Sequence, residues 1–233
     1  MKRILLKMSG ESLMGKQKTG IDPEMLNAFA KEIAEVNQQK TQVAIVVGGG
    51  NIFRGLKGAA QGFDRVKGDQ MGMMATVINS LALQSALQSM NVKARVYTAI
   101  RMEPVGKLYD RDEAIEAMQN NEVVIVSGGT GNPFFTTDTA AALRAVELNT
   151  DALLKATRVD GVYTADPEKD PKATRFDEIT FAECLTNEYK ILDLTAFTMC
   201  KENDMPIIVF NFHEQGSLNA LISGKKVGTI VRN

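Results

Sequence analysis

The sequence predicts an α/β domain, with a mostly parallel sheet and helices on both of its faces. Three observations predict it. Short β-branched and aliphatic runs alternate with longer segments of helical periodicity, the order of parallel strands joined by crossover helices. Four of those runs, ending at Leu6, Val47, Val126 and Leu154, lead into residues suited to ligands. In open parallel sheets, ligands gather beyond the carboxyl ends of the strands. No linker, repeat or low-complexity segment interrupts the 233 residues. The reading is therefore one domain over residues 1–233, long enough to bury roughly 70–75% of its unfolded surface.

Ile4 to Leu6 reads as the first strand, left through Lys7, Met8, Ser9 and Gly10. Asp22 caps a helix with Pro23 at its first position, and Leu26, Phe29, Ala30 and Ile33 share one apolar face. Val43 to Val47 is a second strand, followed by Gly48, Gly49, Gly50, Asn51, Ile52, Phe53, Arg54 and Gly55. A long helical pattern runs from Asp69 to Met90. Met74, Val77, Ile78 and Leu81 form one face, and Met71, Met73, Leu83 and Leu87 spill beyond it. A helix apolar on more than one side is buried on both, as a central core helix or as an oligomer interface. Its methionines read as core filler.

Val92 to Tyr97 is a candidate strand and Asp112 to Met118 a short helix. Val123 to Val126 is a buried strand by its β-branched residues. Gly128, Gly129 and Gly131 follow, and Thr136, Thr137 and Asp138 open the alanine-rich helix TAAALRAVEL. Strand, glycine turn and helix start aim unpaired N–H groups and a positive dipole end at one spot, where a phosphate fits. A plain threonine N-cap after a glycine loop is the alternative. Ala152 to Leu154 is a further strand, and Asp160-Gly161 a turn. Thr180 with Glu183 makes a capping box. Leu192-Asp193-Leu194 leads into a short helix near Ala196 to Cys200, Pro206 to Phe210 is a strand, and Ser217 caps a last helix ending at Gly224.

Composition excludes several classes. Lys plus Arg number 27 and Asp plus Glu 28, a net charge of −1, which argues against a nucleic-acid binder built on a basic face. Cys184 and Cys200 form no CxxC, and His213 is the one histidine, too few ligands for zinc. The thiols read as reduced, as in a cytoplasmic protein. The apolar run in MKRILLKMSGE is too short for a signal peptide, and no stretch nears the ~20 residues of a membrane span. There is no GxxxxGK[ST] or GxGxxG loop. A nucleophilic triad would need His213, which reads as a solvated side chain in NFHEQGS.

Lysine, glycine and aspartate remain. Lys7 and Lys155 each stand just past a strand, placed to hold phosphate oxygens or simply to snorkel to solvent. Arg54 follows three glycines and suits bidentate phosphate binding. Asp138 and Asp193 could orient the lysines or hold magnesium through water. Alternatively, Asp138 is a helix-dipole partner and Asp193 a capping residue. This inventory fits phosphoryl transfer, which needs positioning and cations more than covalent help.

The segments KRILLKMSGE, VVGGGNIFRG, GDQMGMMATVINSLAL, GGTGNPFFTTD, LLKATRVDGVYTADP and ILDLTAFTMCKEN, in this order, resemble bacterial uridylate kinases of the amino acid kinase superfamily. The resemblance covers nearly the whole chain. It implies a three-layer αβα sandwich, the amino acid kinase fold, and transfer of phosphate from ATP to UMP in pyrimidine nucleotide synthesis. Magnesium would arrive with ATP rather than on a protein site of its own. By the same resemblance, Lys7, Met8, Ser9 and Gly10 would contact the ATP phosphates. Gly50 and Arg54 would lie at the phosphates between the nucleotides, and Thr157, Tyr163 and Asp166 would hold adenosine. Gly49 would touch UMP, Asp69 at the start of the long helix would hold its ribose hydroxyls, and Thr130, Gly131, Asn132, Pro133, Phe134, Phe135, Thr136 and Thr137 would wrap it. Lys7, Lys155, Asp138, Asp193 and Arg54 would form the catalytic group. A homohexamer built from dimers through the long helix is implied, with GTP as activator and UTP as inhibitor. The matching regulatory segment, GKQKTG at Gly15–Gly20, is basic through Lys16 and Lys18 and leaves GTP activation open. Two rivals stand beside this reading: a carboxylate or carbamate kinase of the same fold, and a regulator that binds UMP or UTP without turnover.

Overall fold

Parity along the strands decides the layers. The computed structural model describes residues 1–53, 62–167, 169–170 and 172–233. The chain runs β1 (Arg3–Met8), a 3-10 turn (Gly10–Met14), α1 (Pro23–Gln38), β2 (Gln42–Val47), α2 (Arg65–Ser89), β3 (Ala94–Thr98) and β4 (Lys107–Leu108). It continues through α3 (Arg111–Gln119), β5 (Val123–Ser127), α4 (Thr137–Glu147), β6 (Ala152–Thr157) and β7 (Glu178–Thr180). The remainder is α5 (Phe181–Thr186), α6 (Leu194–Glu202), β8 (Ile207–Asn211), α7 (Ser217–Ile222) and β9 (Thr229–Arg232).

In β1, Ile4, Leu6 and Met8 enter one hydrophobic core and Leu5 enters another. In β2, Val43, Ile45 and Val47 join the first core, and Ala44 and Val46 the second. Strands buried on both faces need apolar residues throughout, so these runs show no alternation in the sequence. The first core is closed by α1, α2 and α7 through Phe29, Ile33, Leu83, Leu87, Leu218 and Leu221. The second is closed by α3, α4, α5 and α6 through Met118, Ala141, Ala145, Phe181, Phe197 and Cys200. The result is the expected three-layer αβα sandwich. Among the described residues its nine-stranded sheet has the order β4-β3-β5-β2-β1-β6-β8-β9-β7, with β8 and β9 the one antiparallel pair of these strands. The four strands with ligand-suited ends, β5, β2, β1 and β6, are consecutive neighbours at its centre.

Local signals act as read in most elements. Asp22 accepts from the N–H groups of Glu24 and Met25 at 2.8 and 3.2 Å, and the Thr180–Glu183 capping box closes both ways. The structure corrects three expectations. The long helix starts at Arg65 behind an Asp64 cap, so Asp69 lies in its second turn rather than opening it. It is not a central core helix: Met73, Val77, Leu83 and Leu87 are buried, but Met71, Ile78 and Leu81 remain exposed. Ser217 is the first residue of α7, not its cap; Gly216 takes that place in a left-handed conformation. Its N–H donates to Glu32, a buried carboxylate on α1, so the acceptor comes from another helix. The short strands β4, β7 and β9 carry too few residues to show a periodicity.

Candidate active site

Lys7 and Lys155 are register partners on the adjacent parallel strands β1 and β6. Two residues back along each strand, Leu5 and Leu153 enter the second core. The lysines therefore emerge on that same face, where α4 begins. Asp138, in the first turn of α4, meets both: Lys7 Nζ lies 2.6 Å from Oδ1 and Lys155 Nζ 3.1 Å from Oδ2. Lys155 also donates to the carbonyl of Ile191. The three side chains are 12 to 19% exposed. Burial pushes the Asp138 carboxyl up, but Lys7 and Lys155 together outweigh it and hold the group below the usual carboxylate range. Burial also lowers Lys155; Asp138 opposes that shift and Lys7 adds to it, leaving Lys155 below an ordinary lysine. Asp138 is thus a fixed anion aligning two cations, and a poor proton acceptor near neutrality.

Asp193 has a different task. It is the N-cap of α6, accepting from Ala196 N–H at 3.0 Å. It also accepts from the hydroxyls of Thr136 and Thr139, the latter at 3.0 Å to Oδ2. Thr136 in turn caps α4, accepting from the N–H groups of Asp138 and Thr139. The N-termini of α4 and α6 are therefore locked to each other through one carboxylate, and the position of Asp138 depends on that lock. Among the described residues, no group of three or more His, Cys, Asp or Glu side chains is arranged to hold a metal ion. Asp138 is engaged by lysines and Asp193 by hydroxyls, so these residues do not fit a protein-held metal.

The glycines let backbones meet beside this centre. A Cβ on Gly10 would lie 2.4 Å from the Gly48 carbonyl oxygen, so the loops after β1 and β2 touch because Gly10 has no side chain. After β5, Gly128, Gly129 and Gly131 all hold positive φ, which turns the chain back over α2. Gly128 N–H donates to Thr76 Oγ1 at 2.8 Å. Asn51 and Asn79 exchange two side-chain hydrogen bonds, of 3.0 and 2.7 Å. Asn79 also donates to Gly48 O at 2.7 Å and Asn51 to Gly20 O at 2.9 Å. This buried amide pair ties the loop after β2 to α2 and to the end of the GKQKTG segment.

Two clefts flank the charged centre. One, of about 630 Å³, lies beyond β6 and is lined by Lys155, Thr157, Tyr163, Asp166, Tyr189 and Ile191 among others. The other, of about 510 Å³, is lined by Gly49, Gly50, Phe53, Arg65, Asp69 and Thr76, with Thr130, Asn132, Phe135, Thr136 and Thr137 opposite. A cation-rich centre between two clefts of nucleotide size suits transfer of a group between two bound molecules.

The sequence pattern of the amino acid kinase family matches residues 2–211. A uridylate kinase from Bacteroides thetaiotaomicron is 62% identical over 232 residues, covering 100% of this chain and 98% of that protein. This chain belongs to the uridylate kinases of the amino acid kinase family. The crystal structure of UMP kinase from Bacillus anthracis matches with a TM-score of 0.96 at 36% identity, covering 99% of this chain and 96% of that one. Uridylate kinase from Archaeoglobus fulgidus matches with a TM-score of 0.76 at 31% identity, covering 99% and 100%. Neither rival reading, a kinase of small acids or a binder without turnover, is favoured by these relatives.

Set on this uridylate kinase scaffold, the residues singled out in the sequence fall into place unevenly. Gly49, Asp69, Thr130, Asn132, Phe135, Thr136 and Thr137 line the second cleft, and Thr157, Tyr163 and Asp166 the first. Gly50, expected at the phosphates between the two nucleotides, lines not the first cleft but the second. Gly131, Pro133 and Phe134 complete the loop over it. The Met8 side chain is fully buried in the first core, so a contact with ATP phosphates would have to come from its backbone. Ser9 accepts from Glu11 N–H at 3.3 Å and starts the 3-10 turn. Arg54 lies outside the described residues. Sequence reading missed Arg65, Phe53, Thr76 and the Asn51–Asn79 pair. Only Arg65 had a signal: a cation four residues before Asp69, on one helix face. Cys184 and Cys200 are buried free thiols, pushed by burial up to about 11 and about 12, and are inert as nucleophiles.

Proposed function

We propose that the protein transfers the γ-phosphoryl group of Mg-ATP to UMP, giving UDP and ADP. The observation that carries this reading is the Lys7–Asp138–Lys155 group between two clefts. A phosphate oxygen of UMP forms the new bond to the γ-phosphorus, and the bond from that phosphorus to the β,γ-bridging oxygen breaks. UMP is already ionised, so the step needs no general base, which accords with the depressed carboxyl of Asp138. Charge grows on the bridging and equatorial oxygens as the phosphoryl group moves. Lys7 and Lys155 meet that charge in a nearly dry setting, where fixed cations act strongly. The N-terminus of α4 adds the positive end of its dipole. Magnesium enters with the ATP it neutralises.

ATP occupies the cleft beyond β6, and UMP the cleft over α2, with Asp69 on its ribose. The product places the enzyme in pyrimidine nucleotide synthesis, in the cytoplasm. Among the described residues no helix is long and apolar enough to cross a membrane. The apolar stripe of Met71, Ile78 and Leu81 along α2 supports pairing of copies through this helix, within a homohexamer. UTP inhibition is the regulation expected of such an assembly. The test is ADP release by the purified protein with Mg-ATP and, in parallel, UMP, CMP, dUMP or N-acetylglutamate. Fast turnover with UMP is expected. Turnover with the acid instead, or tight UMP binding with no ADP, would overturn the reading.

A further inference from the structure

Arg65 stands one turn before Asp69 on α2. Its Nε donates to both Asp69 oxygens, at 3.0 and 2.9 Å. The Phe134 N–H, from the opposite wall of the cleft, donates to Asp69 Oδ2 at 2.8 Å. The Arg65 guanidinium also lies over the Phe134 ring, 5.3 Å from its centroid. One arginine therefore touches both walls and the carboxylate between them. Phe134 holds φ at 71°, a backbone state that a phenylalanine keeps only when its surroundings impose it. The residue is 65% exposed, so core packing does not impose it. The hydrogen bond to Asp69 and the contact with Arg65 do.

We propose that Arg65 is a positioning residue for ribose recognition: it fixes the plane of the Asp69 carboxylate and pins the Phe134 turn to α2, so that the cleft favours a ribonucleoside monophosphate over its 2′-deoxy analogue. This rests on the reading that the cleft takes UMP. A carboxylate offers about four lone-pair directions. Arg65 and Phe134 occupy some of them and set where the others point. Two neighbouring hydroxyls use a fixed carboxylate together, and a ligand lacking one leaves an acceptor unpaired. A carboxylate free to rotate turns to water instead, and the discrimination fades.

The test is steady-state kinetics with UMP and dUMP at saturating Mg-ATP, for the unchanged protein, Arg65→Gln, Arg65→Lys, Asp69→Asn and the Arg65→Gln/Asp69→Asn double variant. Arg65→Gln should raise KM for UMP about tenfold with kcat within about twofold. Its UMP-to-dUMP ratio of kcat/KM should fall by a similar factor, and KM for ATP should not move. Arg65→Lys keeps an i,i+4 ion pair and should fall between; it carries the test if the glutamine variant folds poorly. In the Asp69→Asn background Arg65→Gln should add less than about twofold, because the two residues act as one unit. A fall in kcat at constant KM, an unchanged UMP-to-dUMP ratio, or fully additive losses would overturn the role of Arg65. No UMP turnover by the unchanged protein would overturn the acceptor reading and this proposal with it.

Discussion

Around the acceptor cleft, the walls are tied together through side chains rooted in helix and sheet. Asn79 and Thr76 on α2 reach the loops after β2 and β5, and Asp69 reaches the Phe134 turn. Around the donor cleft the ties are more local. Tyr163 donates to Asp160 at 2.7 Å, and Arg175 pairs with the same carboxylate at 2.8 Å. Links to the sheet come from Thr229 on β9, which accepts from Val162 N–H, and from Thr157 and Lys155 on β6, which hold Val159 and the Ile191 carbonyl. Ala165, Asp166 and Pro167 are exposed. A pre-set wall can reject a near-miss ligand, because it cannot relax around it; a locally braced loop adapts. Specificity should therefore concentrate on the acceptor, with the charged centre indifferent to both.

The largest effect should come from that centre. Asp138→Asn should lower kcat by about a thousandfold with little change in either KM, since the lysines lose their alignment where charge develops; rapid-quench and steady-state rates check it, and a pure KM effect would falsify the assignment. Next, Asp69→Ala should raise KM for UMP by about 10–100-fold and leave KM for ATP alone, which would place the loss on the acceptor side only. Asn79→Ala strands Asn51 and the Gly48 carbonyl in a buried site and should lower stability by about 1–3 kcal/mol, read from urea unfolding. Tyr163→Phe should be the mildest, raising KM for ATP no more than about threefold, because the bond it removes is a local one. If that variant instead impaired UMP more than ATP, the contrast between the clefts would collapse.

The pH profile follows from the same group. Lys155 acts as a cation and its pKa is lowered, so the alkaline limb of kcat should fall at a lower pH than a free lysine, at about 10.4, would give. Asp138 is depressed. Its contribution to stability is present above the ordinary carboxyl range and is lost only as pH falls through its lowered value. Relative to pH 7, the loss of thermal stability on acidification should accordingly be smaller in Asp138→Asn, when melts are compared from about pH 5 down to about pH 2.

Much of this was legible in the chain. Buried central strands write their position as uninterrupted apolar runs, and a lysine directly after such a run, as at Lys7 and Lys155, has few places to go. Asp138 was legible because a helix start after a glycine turn is a local event. Asp69 was harder: Gly68 obscured a helix that had already begun at Arg65, and so the arginine beside it went unread. Asn51 follows three glycines in the chain and Asn79 stands within α2; their pairing spans 28 positions and leaves no periodic trace. The capping of α7 by Glu32 is likewise tertiary. Strand β9 pairs antiparallel with β8 over three residues, too few for an alternation to be read.

Lys7 and Lys155 share one carboxylate, Asp138, in a site largely shielded from water, and Asp193 acts on Lys155 only from beyond ion-pair distance, so a local surplus of positive charge stands where repulsion is poorly screened. A bound polyphosphate cancels that surplus. Nucleotide should then act as a folding ligand as well as a substrate: the melting temperature should climb with its concentration, by about 2.7 kcal/mol of added stability at a hundred times Kd. The same geometry that prepares the reaction would thus make the protein's lifetime in the cell track its nucleotide supply.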